Sequence, residues 1–393
     1  MILKKETAMK QERINKTLDI MKSSDLDMVI YAPSANFQYL LESDDFYFQR
    51  ACDTNIMGRA TGYNLPEVLL LLDSAGNLNI ITNRHHAAYF MEKYKDFTTC
   101  SYMDQFEDAM APFIKGKRIA VGFTCFEHIT SLLKAIDEDI EVVDGEDLLK
   151  DIRCFKDQDE IAKIKRVCKF TDDACMYVVK NLKRGMSMRE AENLLVKYGY
   201  ENGADDLSFP PTVGFKTRNT ITTSEVGYYD REWKLQDNTS VAFDVGFVID
   251  GYCSDWGRTI FFGKASENAK KGYKALNEAI LYMADHIVPY KTNINELYRM
   301  VKDKVEELGM VDYLRYKDIE MLGHQIGIDC HEFPLVNKDN DFIIKPGMTF
   351  AVEPKMWFDN EMYMRVEDII LITETGAEIL TDFPRDLFEI ELD

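Results

Sequence analysis

Gly323-His324-Gln325-Ile326-Gly327-Ile328-Asp329-Cys330-His331-Glu332-Phe333-Pro334 is the stretch around which the chain reads as organised. It holds two of only six histidines, seven residues apart. Short acidic segments with strand-like patterning lie on both sides of it. Upstream, Asp244 and Asp255 sit in Ala242-Phe243-Asp244-Val245-Gly246 and Cys253-Ser254-Asp255-Trp256-Gly257-Arg258-Thr259. Downstream, Glu353 and Glu367 sit in Ala351-Val352-Glu353-Pro354 and Met364-Arg365-Val366-Glu367-Asp368.

The upstream pair belongs to one hairpin. Val241 to Ile249 and Tyr252 to Phe262 are strand runs separated by Asp250-Gly251, a strong two-residue turn signal. With that turn, Asp255 lies opposite Gly246, two residues from Asp244, so both carboxylates share a face as diagonal neighbours. A turn centred on Asn360 places Glu353 opposite Glu367, with Arg365 on the same face. Any one of these acids alone would pass for a surface charge. As a set they interrupt apolar strands, where an unpaired charge is costly, and stacked carboxylates repel unless cations neutralise them. Asp244, Asp255, His324, Glu353 and Glu367 are therefore expected to converge on a pair of divalent metal ions. One imidazole among four carboxylates is a hard, oxygen-rich donor set that suits Mn²⁺, Fe²⁺ or Co²⁺, with Zn²⁺ an alternative.

The bulk properties agree with such a site and exclude other classes. At 393 residues the chain exceeds one ordinary core, which predicts two domains. A net charge of −21 speaks against nucleic acid, whose binding rests on basic contacts to phosphate, and against anionic membranes. The N-terminal residues are charged from Lys4 with no apolar signal run, and no stretch approaches the roughly 20 apolar residues of a membrane span. Eight scattered cysteines without a CxxC pair fit reduced thiols, so a cytoplasmic protein is expected.

Residues about 11–30 read as an amphipathic helix, with Ile14, Leu18 and Met21 on one face, leading into the apolar run Met28–Tyr31. Val68–Leu72 and Leu78–Ile81 flank a Gly-containing turn, and Lys117–Gly122 reads as another strand. Helical patterns near 84–94, 103–114 and 126–136 make this first part, residues 1–152, an α/β domain. Residues 153–393 form the second. Asp157 with Glu160 has the form of a capping box, followed by the stripe Ile161, Ile164, Cys168, Thr171, Cys175, Val178. Thereafter the chain has a twofold rhythm. Helices at about 158–182 and 187–201 precede the first acidic strand pair, and helices at about 266–287 and 294–308 precede the second.

These residues resemble the pita-bread metallopeptidases: methionine aminopeptidase, aminopeptidase P, prolidase and the related creatinase. The likeness covers the C-terminal 235 or so residues. The shared signature is an Asp, a second Asp eleven residues on, Gly-His-x-Ile-Gly, Glu-Pro and Arg-x-Glu-Asp. The N-terminal part is similar to the extra domain of the aminopeptidase P, prolidase and creatinase branch. The resemblance implies an α/β two-domain protein with a pita-bread α+β catalytic domain of pseudo-twofold symmetry. It implies that Asp244 binds one metal with both oxygens, that Asp255 and Glu367 bridge the two ions, and that His324 and Glu353 hold the second. A bridging water would then serve as the nucleophile. Glu353 would accept and donate the proton, and His331 would hydrogen-bond the substrate and tetrahedral intermediate. Arg365 would buttress the ligands, or be no more than a charge partner for Glu367. The activity implied is Xaa-Pro peptidase hydrolysis of short peptides with two ions, Mn²⁺ first, in a homodimer.

One feature departs from that pattern. Peptidases of this family usually place a further histidine before the first Asp. Here Val213-Gly214-Phe215-Lys216-Thr217-Arg218-Asn219-Thr220-Ile221-Thr222-Thr223 carries none, and Tyr228–Trp233 reads as an insertion. Either another donor replaces it, or the substrate is a small polar C–N compound or zwitterion, as for creatinase and the metal-dependent dimethylsulfoniopropionate lyases. Asp45-Phe46-Tyr47-Phe48-Gln49-Arg50 weakly resembles the creatinase loop that reaches into the neighbouring subunit's site.

Overall fold

A computed structural model describes residues 2–42, 65–102, 105–122, 126–217, 231–315, 320–358 and 362–391. The chain divides into two units, Met1–Arg153 and Cys154–Asp393.

In the first unit, helix α1 (Ile2–Ser23) stops short of the expected residue 30. Asp25 takes a left-handed φ of 54°, and the Leu26 N–H reaches back to the Met21 carbonyl at 2.9 Å, closing the last turn. That releases Met28–Tyr31 as β1. It joins β2 (Val68–Asp73), β3 (Leu78–Asn83), β4 (Thr98–Tyr102), β5 (Arg118–Gly122) and β6 (Glu141–Asp144) in a six-stranded sheet of order β4-β3-β2-β1-β5-β6. Only β2 runs antiparallel to its neighbours. The β2–β3 turn forms because the Asp73 carboxylate accepts the N–H groups of Ala75 and Asn77 at 3.0 and 2.9 Å, with Gly76 at φ +88°. Its other helices among the described residues are α2 (Ala35–Leu41), α3 (Ala87–Lys93), α4 (Phe106–Ile114), α5 (Phe126–Ile136) and α6 (Lys150–Arg153). Phe106, Met110 and Ile114 of α4 and Ile129 and Leu133 of α5 are buried with Ile30, Leu69 and Val121 of the sheet.

The second unit states one plan twice: a helix pair, then an antiparallel sheet. Helices α7 (Gln158–Asn181) and α8 (Met188–Glu201) both begin in capping boxes, Asp157 with Glu160 and Ser187 with Glu190. The six stripe residues of α7 are all buried. This pair shares a core with β8 (Thr212–Thr217), β9 (Thr239–Val245) and β12 (Trp256–Phe262), while the short β7 (Asp206–Leu207), β10 (Phe247–Ile249) and β11 (Tyr252–Cys253) form a three-stranded sheet of their own. Helices α9 (Glu267–His286) and α10 (Ile294–Glu307) share a second core with β13 (Met321–Gln325), β14 (Glu332–Asn337), β15 (Thr349–Val352) and β18 (Asp368–Ile372). Between β15 and β18 the ribbon β16 (Lys355–Phe358) and β17 (Met362–Arg365) forms a separate two-stranded sheet. Strands β19 (Ala377–Ile379) and β20 (Glu389–Ile390) close the two edges. The twofold rhythm of the sequence is thus the architecture of the unit.

Candidate metal centre

Asp250 and Gly251 adopt φ of 51° and 75°, the paired left-handed residues of a type I′ turn. The turn sets the expected register: Val248 faces Cys253, Trp256 faces Val245 and Gly257 faces Asp244. Asp255 thereby lies across from Gly246, and the two aspartates come to one face. The downstream acids follow the same logic. Lys355 pairs with Arg365 on one side of them and Val352 with Asp368 on the other, in one continuous register. The turn centred on Asn360 lies outside the described residues.

Among the described residues the two hairpins meet at one backbone bridge. The Glu367 N–H donates to the Gly257 carbonyl at 2.8 Å. A side chain at 257 could not be tolerated, since a Cβ there would lie 2.3 Å from Arg365 Cδ and 2.8 Å from Glu367 Oε2. Across this bridge Asp244, Asp255 and Glu367 bring one carboxylate oxygen each within 4.8 Å of the others. Asp255, His324 and His331 do the same with their ligand atoms. The loop between the histidines is held from beneath. Glu332 accepts the N–H groups of Ile328 and Asp329 at 3.1 and 3.2 Å, and its other oxygen pairs with the buried Lys156 at 2.9 Å. The Lys156 ammonium also donates to Gln325 Oε1 at 2.8 Å.

Charges inside the centre are dense and desolvated. Arg365 contacts Asp244 closely and reaches Glu353 at 2.9 Å and Glu367 at 3.3 Å, so it ties three carboxylates together. Lys355 meets the same Glu353 oxygen at 2.5 Å. Burial pushes the Glu353 carboxyl up, but Arg365 and Lys355 outweigh it and hold the group below the usual range. Burial likewise opposes ionisation of Asp255, and His324 and Arg365 bring it below the ordinary value. Glu367 is pushed well above that range by burial and then by the Asp255 charge. His324 Nδ1 lies 3.0 Å from the Gln325 carbonyl, which can only accept, so Nδ1 carries the proton and Nε2 faces Asp255 at 3.4 Å. Burial, and then His324, lower His331, which is therefore neutral near pH 7.

These residues fit divalent cations. Asp255 Oδ1 and both Glu367 oxygens are buried without a hydrogen-bond partner among the described residues. A buried anion left so is stabilised only by a countercharge. A cavity of about 440 Å³ opens over Asp244, Asp255, Glu353 and both histidines, walled in addition by Phe209, Pro210, Arg231, Lys355 and Arg365.

All seven residues singled out from the sequence come together here: Asp244, Asp255, His324, Glu353 and Glu367 with His331 and Arg365. Lys355, Arg231 and Cys330, whose Sγ lies 3.3 Å from Asp255 Oδ2, were missed. Lys355 had a signal, standing two residues from Glu353 on the same strand face. The other two had none. Phe46–Arg50 and most of the 218–233 segment lie outside the described residues.

Carboxylates paired across two facing hairpins, with histidines at one rim of a cavity, make a metal-dependent hydrolase of the pita-bread fold. The chain belongs to metallopeptidase family M24, which it matches over residues 162–374. An uncharacterized peptidase of Staphylococcus epidermidis is 33% identical over 265 residues, 66% of this chain and 72% of that protein. One of Bacillus subtilis is 29% identical over 253 residues, 64% and 69% of the two chains. Among solved structures, an Xaa-Pro dipeptidase from Bacillus anthracis superposes with a TM-score of 0.79 at 22% identity, over 97% of this chain and 100% of that one. A prolidase from Pyrococcus horikoshii OT3 gives 0.77 at 21% identity, over 96% and 99%. These structural likenesses extend through the N-terminal unit and show the fold.

Proposed function

We propose that this protein is an Xaa-Pro peptidase of the aminopeptidase P/prolidase type, cleaving the bond before proline in short peptides. The observation that supports it is the gathering of Asp244, Asp255, His324, Glu353 and Glu367 beneath one cavity that His331 also faces. Asp255 and Glu367 would each serve two ions, Asp244 one of them, and His324 with Glu353 the other, with Mn²⁺ the first expectation. Bound there, the cations supply Lewis-acid activation of water and of the scissile carbonyl. Glu353 takes the proton of the attacking water and returns it to the leaving amine. His331, neutral, donates an N–H to the oxygen on which charge develops. Arg365 keeps three ligand carboxylates in place. The protein is further read as a cytoplasmic homodimer.

A second reading, a small polar C–N or zwitterionic substrate, is favoured by the absence of histidine between 129 and 285 and by the cationic wall of Lys355 and Arg231. Assay of the Mn²⁺-loaded protein against Xaa-Pro dipeptides and tripeptides separates the two. Turnover of several members is expected, and none at all would eliminate the peptidase reading.

A further inference from the structure

We propose that Lys355 is a built-in cation competing for Glu353, so that the two metal positions fill in order and the one held by Glu353 and His324 is the weaker. The inference rests on the five-residue ligand set proposed above. Lys355 lies two residues beyond Glu353 and directly across from Arg365, so all three side chains share one face of the ribbon. Met356 and Met364 alternate to the other face, where they join the core, and this fixes which way Lys355 points. Its side chain is 7% exposed, its ammonium lies 2.5 Å from Glu353 Oε2, and Arg365 reaches the same oxygen at 2.9 Å. That oxygen already has two positive partners. Asp255 Oδ1 and both oxygens of Glu367 lack a hydrogen-bond partner among the described residues, the nearest printed cation being Arg365 at 3.3 Å from Glu367 Oε2, and both residues bring an oxygen close to Asp244.

The charge count points the same way. With all four ligand carboxylates ionised, as Glu367 becomes once a cation lies against it, Arg365 and Lys355 leave two negative charges that one divalent ion neutralises. A first ion therefore goes to Asp244, Asp255 and Glu367. A second, toward Glu353 and His324, must displace or sit beside the Lys355 ammonium, and like charges a few ångströms apart in a poorly solvated site repel strongly.

Calorimetric titration of metal-stripped full-length protein with Mn²⁺ tests this, comparing wild type with Lys355→Met and the charge-retaining Lys355→Arg. Wild type should bind one ion tightly and a second at least about tenfold more weakly. Lys355→Met should tighten the second step by on the order of ten- to a hundredfold with the first unchanged, while Lys355→Arg keeps the wild-type spacing. A second step unchanged or weakened in Lys355→Met would make Lys355 a support for Glu353 and overturn the inference. Fewer than two ions bound by wild type and both variants at millimolar Mn²⁺ would instead overturn the ligand set itself. If thermal melting shows Lys355→Met to be unfolded, Lys355→Gln is judged by the same criteria.

Discussion

His324 and His331 lie with ring centroids 4.0 Å apart, yet their surroundings give them different tasks. His324 is buried, its Nδ1 proton committed to a carbonyl and its Nε2 turned to Asp255. His331 stands at the exposed rim of the cavity, neutral near pH 7. Removing one donor to a developing oxyanion typically lowers kcat by on the order of 10²–10³. His331→Ala should therefore retain its full metal complement and lose about that much activity. His324→Ala should lose metal as well as activity. Metal analysis beside steady-state kinetics checks both, and normal turnover by metal-loaded His331→Ala would displace the substrate from this rim.

At the scale of elements, the two halves of the second unit are joined by buried charge as well as by the Gly257–Glu367 bridge. Arg258 of β12 pairs with Asp368 of β18 at 2.6 Å, both fully buried, and Arg385 reaches the other Asp368 oxygen at 3.0 Å. Burial alone would raise the Asp368 carboxyl, but Arg258 and then Arg385 prevail and hold it below the usual value. A carboxylate whose pKa is lower in the fold than in the unfolded chain contributes stability that is fully present above the unfolded value, about 3.9. That contribution is lost as pH falls through the folded value. Asp368→Asn leaves Arg258 buried and half-paired, which should cost about 3–5 kcal/mol at pH 7. The gap to wild type should narrow below about pH 4. Urea unfolding across a pH series measures it, and a gap constant down to pH 3 would contradict the ion-pair account.

For the whole molecule, a net charge of −21 keeps copies apart unless a defined surface brings them together. Among the described residues no helix is long and apolar enough to cross a membrane. The assembly proposed for it is a homodimer. Light scattering at micromolar concentration should give twice the chain's mass. A monomeric mass would remove that assembly and with it any part for Phe46–Arg50 in a neighbour's site.

Turn chemistry is local, and for that reason the sequence alone determined much of the centre. Asp250-Gly251 can take two left-handed residues in succession, which sets the register of its strands and hence the shared face of Asp244 and Asp255. Period-two alternation did the same for Glu353, Arg365 and Glu367. The capping box of Asp157 and Glu160 placed the start of α7. Strand periodicity says which residues share a face but never what lies over that face. That Glu367 bonds to Gly257, that Arg365 closes on Asp244 from another sheet, and that Lys355 meets Glu353 inside a cavity were decided by tertiary packing. Burial then converted them from surface charges into a centre, because only loss of water makes carboxylates at this spacing require cations.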